Sequence, residues 1–251
     1  MPVLELEHVR KVWPSPDGGE TVAVEDVSLA VEQGRILCLV GTSGSGKTTT
    51  MKMINRLVEP TSGTVRVDGA DVRSLDPIEL RRGIGWVIQR GGLMPHLTVA
   101  QNIGLLCGLE GWAPSKTAAR VDELLALVGL DPGTYRDRYP AALSGGQRQR
   151  VGVARAMALD PPILLMDEPF GALDPITRSR IHDELRAMLE QVQKTVVLVT
   201  HDMPEAFALG DELAIMDAGR VVQRGTPREV AAAPANAFVA EFLSAFSMDA
   251  R

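Results

Sequence analysis

Cysteine is nearly absent. Only Cys38 and Cys107 occur, with no CxxC or CxxH spacing, so neither a disulfide framework nor a zinc site is expected. Long apolar runs are missing too: ILCLV (36–40) and ILLM (163–166) are strand-sized, well short of the ~18 residues a membrane helix needs. The first residues, MPVLELEHVRK, alternate Leu4 and Leu6 with Glu5 and Glu7 and lack the basic-then-apolar plan of a signal peptide, which predicts a cytoplasmic location. Nor is there an excess of positive charge. The 32 acidic residues outnumber the 26 Lys and Arg, and the net −6 disfavours a general nucleic-acid binder. Glycine (24) and proline (16) together stay below the ~25–30% of low-complexity chains, which excludes disorder and collagen-like structure. What is present is 251 residues, 45% hydrophobic and 23% charged, enough for one to two globular domains at ~150 residues each.

Residues 3–9 and 21–33 read as strands flanking the turn-forming PSPDGGE (14–20), and predict an antiparallel sheet with one wet face. RILCLV (35–40) is apolar throughout, as a strand covered on both faces should be, and GWVIQ (85–89), ILLMDE (163–168) and TVVLVT (195–200) share that character. Helical spacing recurs at 47–57, 116–128, 147–158 and 176–193. Strands alternating with helices predict a doubly wound α/β core. From about 90 to 158 no convincing strand is found, so this stretch reads as a helical insertion. ELAIMDAGRVVQRG (212–225) reads as a hairpin turning at Ala218 and Gly219, and TPRE (226–229) has capping-box spacing ahead of a short closing helix.

The sharpest signal is GTSGSGKTT (41–49), which fits GxxxxGK[ST] directly after a buried strand and before a helical run. Gly41, Gly44 and Gly46 let the backbone curl through Thr42, Ser43 and Ser45 with its N–H groups inward. Lys47 adds charge for the outer phosphates, Thr48 offers a hydroxyl to Mg²⁺, and with Thr49 it opens a helix whose positive dipole end favours an anion. A nucleoside triphosphate with Mg²⁺ is the expected ligand. ILLMDEP (163–169) then delivers Asp167 and Glu168 to a strand end, where ligands of α/β sheets gather. One carboxylate can hold Mg²⁺ and the other, pointing the opposite way along the strand, can polarise a water. TVVLVT ends in His201 and Asp202. A histidine there serves as a polar cap, or hydrogen-bonds the γ-phosphate or the attacking water. Gln89 ends another such strand and can reach metal or water through its amide oxygen. Finally, in LSGGQRQRVGVARAMAL (143–159), Ser144 and Gln147 form a capping box with Gly145 and Gly146 between them, a second helix N-terminus suited to a phosphate. On physical grounds an ordinary capped helix, with Arg148, Arg150 and Arg155 as its solvated face, serves equally well.

Taken in order, GTSGSGKTT, Gln89, LSGGQ (143–147), LLMDEP, GALD (171–174) and His201 resemble the ATP-binding cassette of ABC transporters over almost the whole chain. The resemblance implies a P-loop NTPase (RecA-like) mixed α/β sheet with an N-terminal antiparallel β subdomain and an inserted α-helical subdomain. One ATPase domain is expected: 1–89 and 159–225 as core, 90–158 as helical lobe and 226–251 as C-terminal helical tail. It further implies a head-to-tail homodimer in which ATP on the Lys47 loop of one copy is covered by Ser144, Gly145, Gly146 and Gln147 of the other. By the same resemblance Gln89 is a metal-sensing residue, Asp167 the metal carboxylate, Glu168 the catalytic base, His201 the switch histidine and Asp174 the link between the two sites. Trp13 takes the place of an adenine-stacking aromatic that is more often tyrosine in the family. It also suits a hydrophobic cap on the sheet.

A cassette without membrane helices looks like the energy-coupling subunit of an importer, peripheral on the cytoplasmic face of the cell membrane. Its partners would be integral permease subunits and, indirectly, an extracytoplasmic substrate-binding protein. MKMINRLVEPTSGTVRVDG (51–69), PHLTVAQNIGL (95–105) and DEPFGALDPITR (167–178) look most like ATPases of uptake systems for glycine betaine, proline, choline or carnitine. Importers of other small solutes such as amino acids, and soluble non-transport ABC ATPases, are the alternatives. The stretch 91–102 is the expected permease contact. Its Leu93, Met94 and Leu97 face either a partner groove or their own subdomain. Several such ATPases continue into paired regulatory domains, and the sequence here ends at Arg251, so regulation by ionic strength is not part of this expectation.

Overall fold

The computed structural model describes residues 2–15, 18–89, 92–169 and 175–247, with backbone alone for 175–181, 246 and 247. The chain opens with β1 (Pro2–Pro14), β2 (Glu20–Glu32), β3 (Ile36–Val40), α1 (Lys47–Ile54), β4 (Ser62–Val67), β5 (Ala70–Asp71) and α2 (Pro77–Arg82). It continues through β6 (Ile84–Val87), α3 (Val99–Leu109), α4 (Pro114–Leu127), α5 (Pro132–Tyr135), α6 (Gly145–Ala156), β7 (Ile163–Asp167) and α7 (Pro175–Val192). The remainder is β8 (Thr195–Thr200), α8 (Met203–Leu209), β9 (Glu212–Asp217), β10 (Arg220–Gly225), α9 (Pro227–Ala232) and α10 (Ala237–Ser247). No helix among the described residues is long and apolar enough to cross a membrane. The chain divides into two compact units, 1–81 with 195–251 and 82–194.

In the first unit the strands run in the order β5-β4-β1-β2-β10-β9-β3-β8. β1 pairs antiparallel with β2 (Leu4↔Val31, Leu6↔Leu29, Trp13↔Thr21) and with β4 (Leu4↔Val67). Alternation sends Leu4, Leu6, Val24, Leu29 and Val31 inward, as a sheet with one covered face requires. β3 differs. It lies parallel to both β8 and β9, and all five of its side chains are buried, so its unbroken apolar run is what two covered faces demand. The β9–β10 turn falls at Ala218 and Gly219, both with positive φ (44° and 76°), the geometry of a hairpin turn matched to strand twist. α9 begins in the expected capping box of Thr226 and Glu229.

The second unit holds the parallel pair β6 and β7, in register from Ile84↔Ile163 to Val87↔Met166, with α6 packed on β6. α3, α4 and α6 pack on one another through Ile103, Cys107, Val121, Leu124, Leu125, Val151 and Ala154. α3 was not expected, because Gly104 and Gly108 weaken its intrinsic helix preference. It is held by a Thr98–Gln101 capping box and by burial of one face. β4, β5, α2 and α8 also lie outside the sequence expectation. All are short, and tertiary packing rather than periodicity sustains them. The strands expected to run to Gln89 and Glu168 stop earlier, at Val87 and Asp167.

Candidate functional site

The first unit builds the loop 41–49 between β3 and α1. Gly41 has φ 157°, and a Cβ there would lie 2.2 Å from the Met216 carbonyl oxygen; at Gly46, φ 101°, it would lie 2.5 Å from that of Ala23. The curl is therefore available only to glycine at these two positions. Gly46 is also the N-cap of α1 and brings no side-chain acceptor, so the first-turn N–H groups are presented as an anion-binding end. Lys47 is 5% exposed. Its Nζ donates to the carbonyl oxygens of Gly41 and Thr42, each at 2.8 Å, and to Ser45 Oγ at 3.4 Å, which concentrates a positive charge inside the curl. Thr42, Ser43 and Gly44 are exposed at the rim, while Thr48 and Thr49 are half-buried in the first turn.

β8 brings His201 to the same sheet edge. The register Val40↔Thr200 places His201 and Gly41 one residue beyond adjacent strand ends. Thr200 Oγ1 donates to Glu205 Oε2 at 2.7 Å and accepts from the Asp202 N–H at 2.9 Å, while Asp202 Oδ1 caps α8 through the Glu205 N–H at 3.0 Å. The backbone on both sides of the exposed His201 is thus fixed. The D-x-x-E spacing of Asp202 and Glu205 signals this cap in the sequence, although Asp202 was expected only as a strand-end acid. Trp13, near the end of β1, is 41% exposed, and the Lys11 ammonium lies 4.3 Å from its ring centroid.

In the second unit Asp167 ends β7 and Glu168 follows in the left-handed region, φ 43°. The strand expected to carry both acids carries only Asp167, and Glu168 lies one residue beyond its end. Such a conformation in a non-glycine residue costs about 1–3 kcal/mol and persists where neighbours impose it. Gln89 Nε2 donates to Glu168 Oε2 at 2.8 Å. The sequence places both residues beyond strand ends but does not reveal that they touch.

Ser144 caps α6 as expected. Its Oγ accepts from the Gln147 N–H at 3.2 Å, Gln147 Oε1 accepts from the Ser144 N–H at 2.9 Å, and Gln147 Nε2 donates to Tyr135 Oη at 3.0 Å. Ser144 is exposed, Gly145 half-buried and Gly146 buried. The arginines of α6 are more than a solvated face. Arg148 Nη1 donates to the Leu143 carbonyl at 2.5 Å, Arg150 Nη1 to that of Val128 at 3.0 Å and Arg155 Nη1 to that of Gly92 at 2.9 Å. Burial lowers the Arg155 guanidinium from its ordinary pKa. Asn102 was not singled out by sequence. It is fully buried; its Oδ1 accepts from the Met94 N–H at 2.8 Å and its Nδ2 donates to the carbonyls of Met94, Leu97 and Thr98 at 3.0–3.1 Å. A lone asparagine in the apolar run VAQNIGL is the signal that could have found it. The loop it organises leaves Met94 exposed and Leu93 and Leu97 half-buried. Asp174, with the rest of GALD, lies outside the described residues.

A family model described as ABC transporter matches residues 24–171. The glycine betaine/carnitine/choline transport ATP-binding protein OpuCA of Bacillus subtilis (strain 168) is 52% identical over 241 residues, 96% of this chain and 62% of that protein. The choline transport ATP-binding protein OpuBA of the same organism is 51% identical over the same shares. The glycine betaine uptake system ATP-binding protein YehX of Escherichia coli (strain K12) is 49% identical over 99% of this chain and 79% of that protein. The chain thus spans about three fifths of the length of OpuCA and OpuBA. Among solved structures, the dimeric post-hydrolysis state of the ATP-binding cassette MJ0796 bound to ADP and Pi matches with TM-score 0.79 and 34% identity, over 90% of this chain and 99% of that one. The mixed α/β sheet with its helices is accordingly that of an ATP-binding cassette, of the P-loop NTPase type. By the family match, the identities and the shared fold, the chain belongs to the ABC transporter family.

Proposed function

We propose that this chain is the ATP-hydrolysing, energy-coupling subunit of an importer of quaternary-amine osmoprotectants such as glycine betaine or choline. The observation that carries the ATPase reading is the loop 41–49, with its two glycine-only positions, its uncapped helix end and its enclosed lysine. Such a loop cradles a polyphosphate through backbone N–H groups. The substrate class is supported by the printed names of the relatives.

The reaction is in-line transfer of the γ-phosphoryl group to water, in which positioning and charge neutralisation dominate. In this reading the N–H groups of 41–49 hold the phosphates and Lys47 Nζ turns from the loop carbonyls toward their oxygens. Glu168 accepts the proton of the attacking water, and Gln89, bonded to Glu168, orients both carboxylate and water. The His201 imidazole hydrogen-bonds the γ-phosphate. Thr48, Asp167 and Gln89 present only oxygen donors to a metal, a set suited to a hard cation. They would hold Mg²⁺, which supplies charge neutralisation on the phosphate oxygens. Trp13 stacks on the adenine. Two copies assemble head to tail, with the Ser144–Gln147 helix end of each covering the nucleotide of the other and Asp174 linking the two sites. The 90–158 lobe reads nucleotide state, and its 91–102 segment docks on a membrane permease at the cytoplasmic face.

The test is reconstitution of the chain in vesicles with the permease and binding protein encoded beside it, measuring ATP-dependent uptake of labelled betaine and choline. Uptake of either supports the proposal. Uptake of another solute alone would overturn the substrate class and leave the ATPase reading standing.

A further inference from the structure

Gln89 meets Glu168 through a single hydrogen bond, and a path of contacts within the second unit connects Gln89 to α6. α6 packs on β6, and its last turn lies so close to the strand that a Cβ on Gly85 would collide with the Ala156 carbonyl. The Arg155 side chain therefore leaves the helix from a fixed point. It is half-buried, and its Nη1 donates to the Gly92 carbonyl at 2.9 Å. Burial lowers the guanidinium from its ordinary pKa, the mark of a charge partly stripped of water, and in such surroundings a charge-assisted hydrogen bond is stronger than in solvent. Gly92 in turn sits against Ile88, so tightly that a Cβ on Gly92 would collide with the Ile88 side chain. Ile88 is the residue before Gln89. The guanidinium, the Gly92 carbonyl and the Ile88 side chain thus lead from α6 to Gln89. Two residues beyond Gly92, the Met94 N–H donates to Asn102 Oδ1, so α3 holds the same segment from its other end.

We propose that Arg155 is a positioning residue for ATP hydrolysis: by fixing Gly92 and Ile88 against α6 it holds Gln89 in register with the Glu168 carboxylate. The proposal rests on the roles given above to Gln89 and Glu168. It demands geometry as well as charge. A lysine keeps the charge, but its shorter side chain stops before the Nη1 position and its single ammonium does not reproduce the guanidinium fork. Arg155 and Gly92 are not part of the loop 41–49 that takes the phosphates, so binding of ATP and its hydrolysis respond differently to their loss.

The test compares ATP hydrolysis by the full chain with that of Arg155→Met, which keeps an apolar stem and removes every donor. The expected result is a kcat lower by roughly ten- to hundredfold, the worth of a hydrogen bond from a charged group, with KM for ATP unchanged. Arg155→Lys keeps the charge and loses kcat as well. In a Gln89→Ala background neither substitution lowers kcat further, because residues acting through one contact are not additive. Backbone amide exchange, measured without nucleotide, rises at Gln89 and Gly92 in both variants and stays unchanged at Leu198 of β8. The proposal is overturned if that exchange is unaltered, if the variants keep the kcat of an active wild type, if KM rises in step with the loss, or if the losses add to that of Gln89→Ala. A wild-type chain that hydrolyses no ATP would overturn the ATPase reading and the proposal with it. Should Arg155→Met fail to fold, Arg155→Lys carries the same comparisons.

Discussion

Lys47 shows how a single side chain links fold and chemistry. It is buried, yet its ammonium is held by two backbone carbonyls and one hydroxyl, all within six residues of it. An enclosed charge of this kind is tolerable only with such partners, and it makes the loop selective for an anion. Lys47→Ala is therefore expected to lose ATP binding while the strand–helix frame survives, since β3 is held by its pairing with β8 and β9. Isothermal titration with ATP beside a thermal melt checks both halves; retained affinity would remove Lys47 from the phosphate site. Glu168 is the other informative residue. Its backbone lies in the left-handed region and its carboxylate accepts from Gln89 Nε2.

Capping and periodicity made much of the secondary structure legible before the fold. The boxes at Ser144 and Thr226 read directly as S-x-x-Q and T-x-x-E, and both form. Buried parallel strands such as β3 and β8 announce themselves as unbroken apolar runs. What was not legible was context. α3 carries two glycines, and β5 is two residues long, so neither has a periodicity to read. The Gln89–Glu168 hydrogen bond spans 79 positions and follows only from the pairing of β6 with β7. Asn102 is an element-scale device of the same kind: four hydrogen bonds tie the start of α3 to the segment 94–98. Asn102→Leu should take away the partners of the Met94 N–H and the Leu97 carbonyl, while the Met94 and Thr98 carbonyls keep backbone donors, and lower stability by about 1–3 kcal/mol, read as a shift in urea midpoint at constant slope. An unchanged midpoint would mean that the segment is held by other contacts.

At the scale of the whole molecule, the sequence holds two cysteines, no apolar run longer than a strand and more acidic than basic residues. The enclosed Lys47 ammonium and the N–H groups at the start of α6 coexist with a net charge of −6, because the field at a helix end is set by nearby N–H groups and not by the sum. Head-to-tail pairing has its own test. Neither Ser144→Arg nor Glu168→Gln homodimers should turn over ATP, whereas a 1:1 mixture should regain activity, because one composite site in the mixed dimer keeps both functional residues. No recovery would argue for sites complete within a single copy. The most direct measurement is the single-turnover rate of ATP hydrolysis by wild type and Glu168→Gln with protein in excess over ATP. The rate for Glu168→Gln is expected to fall by roughly 10²–10⁴, the usual worth of a general base, with ATP still bound; hydrolysis at the wild-type rate would remove Glu168 from the role of general base.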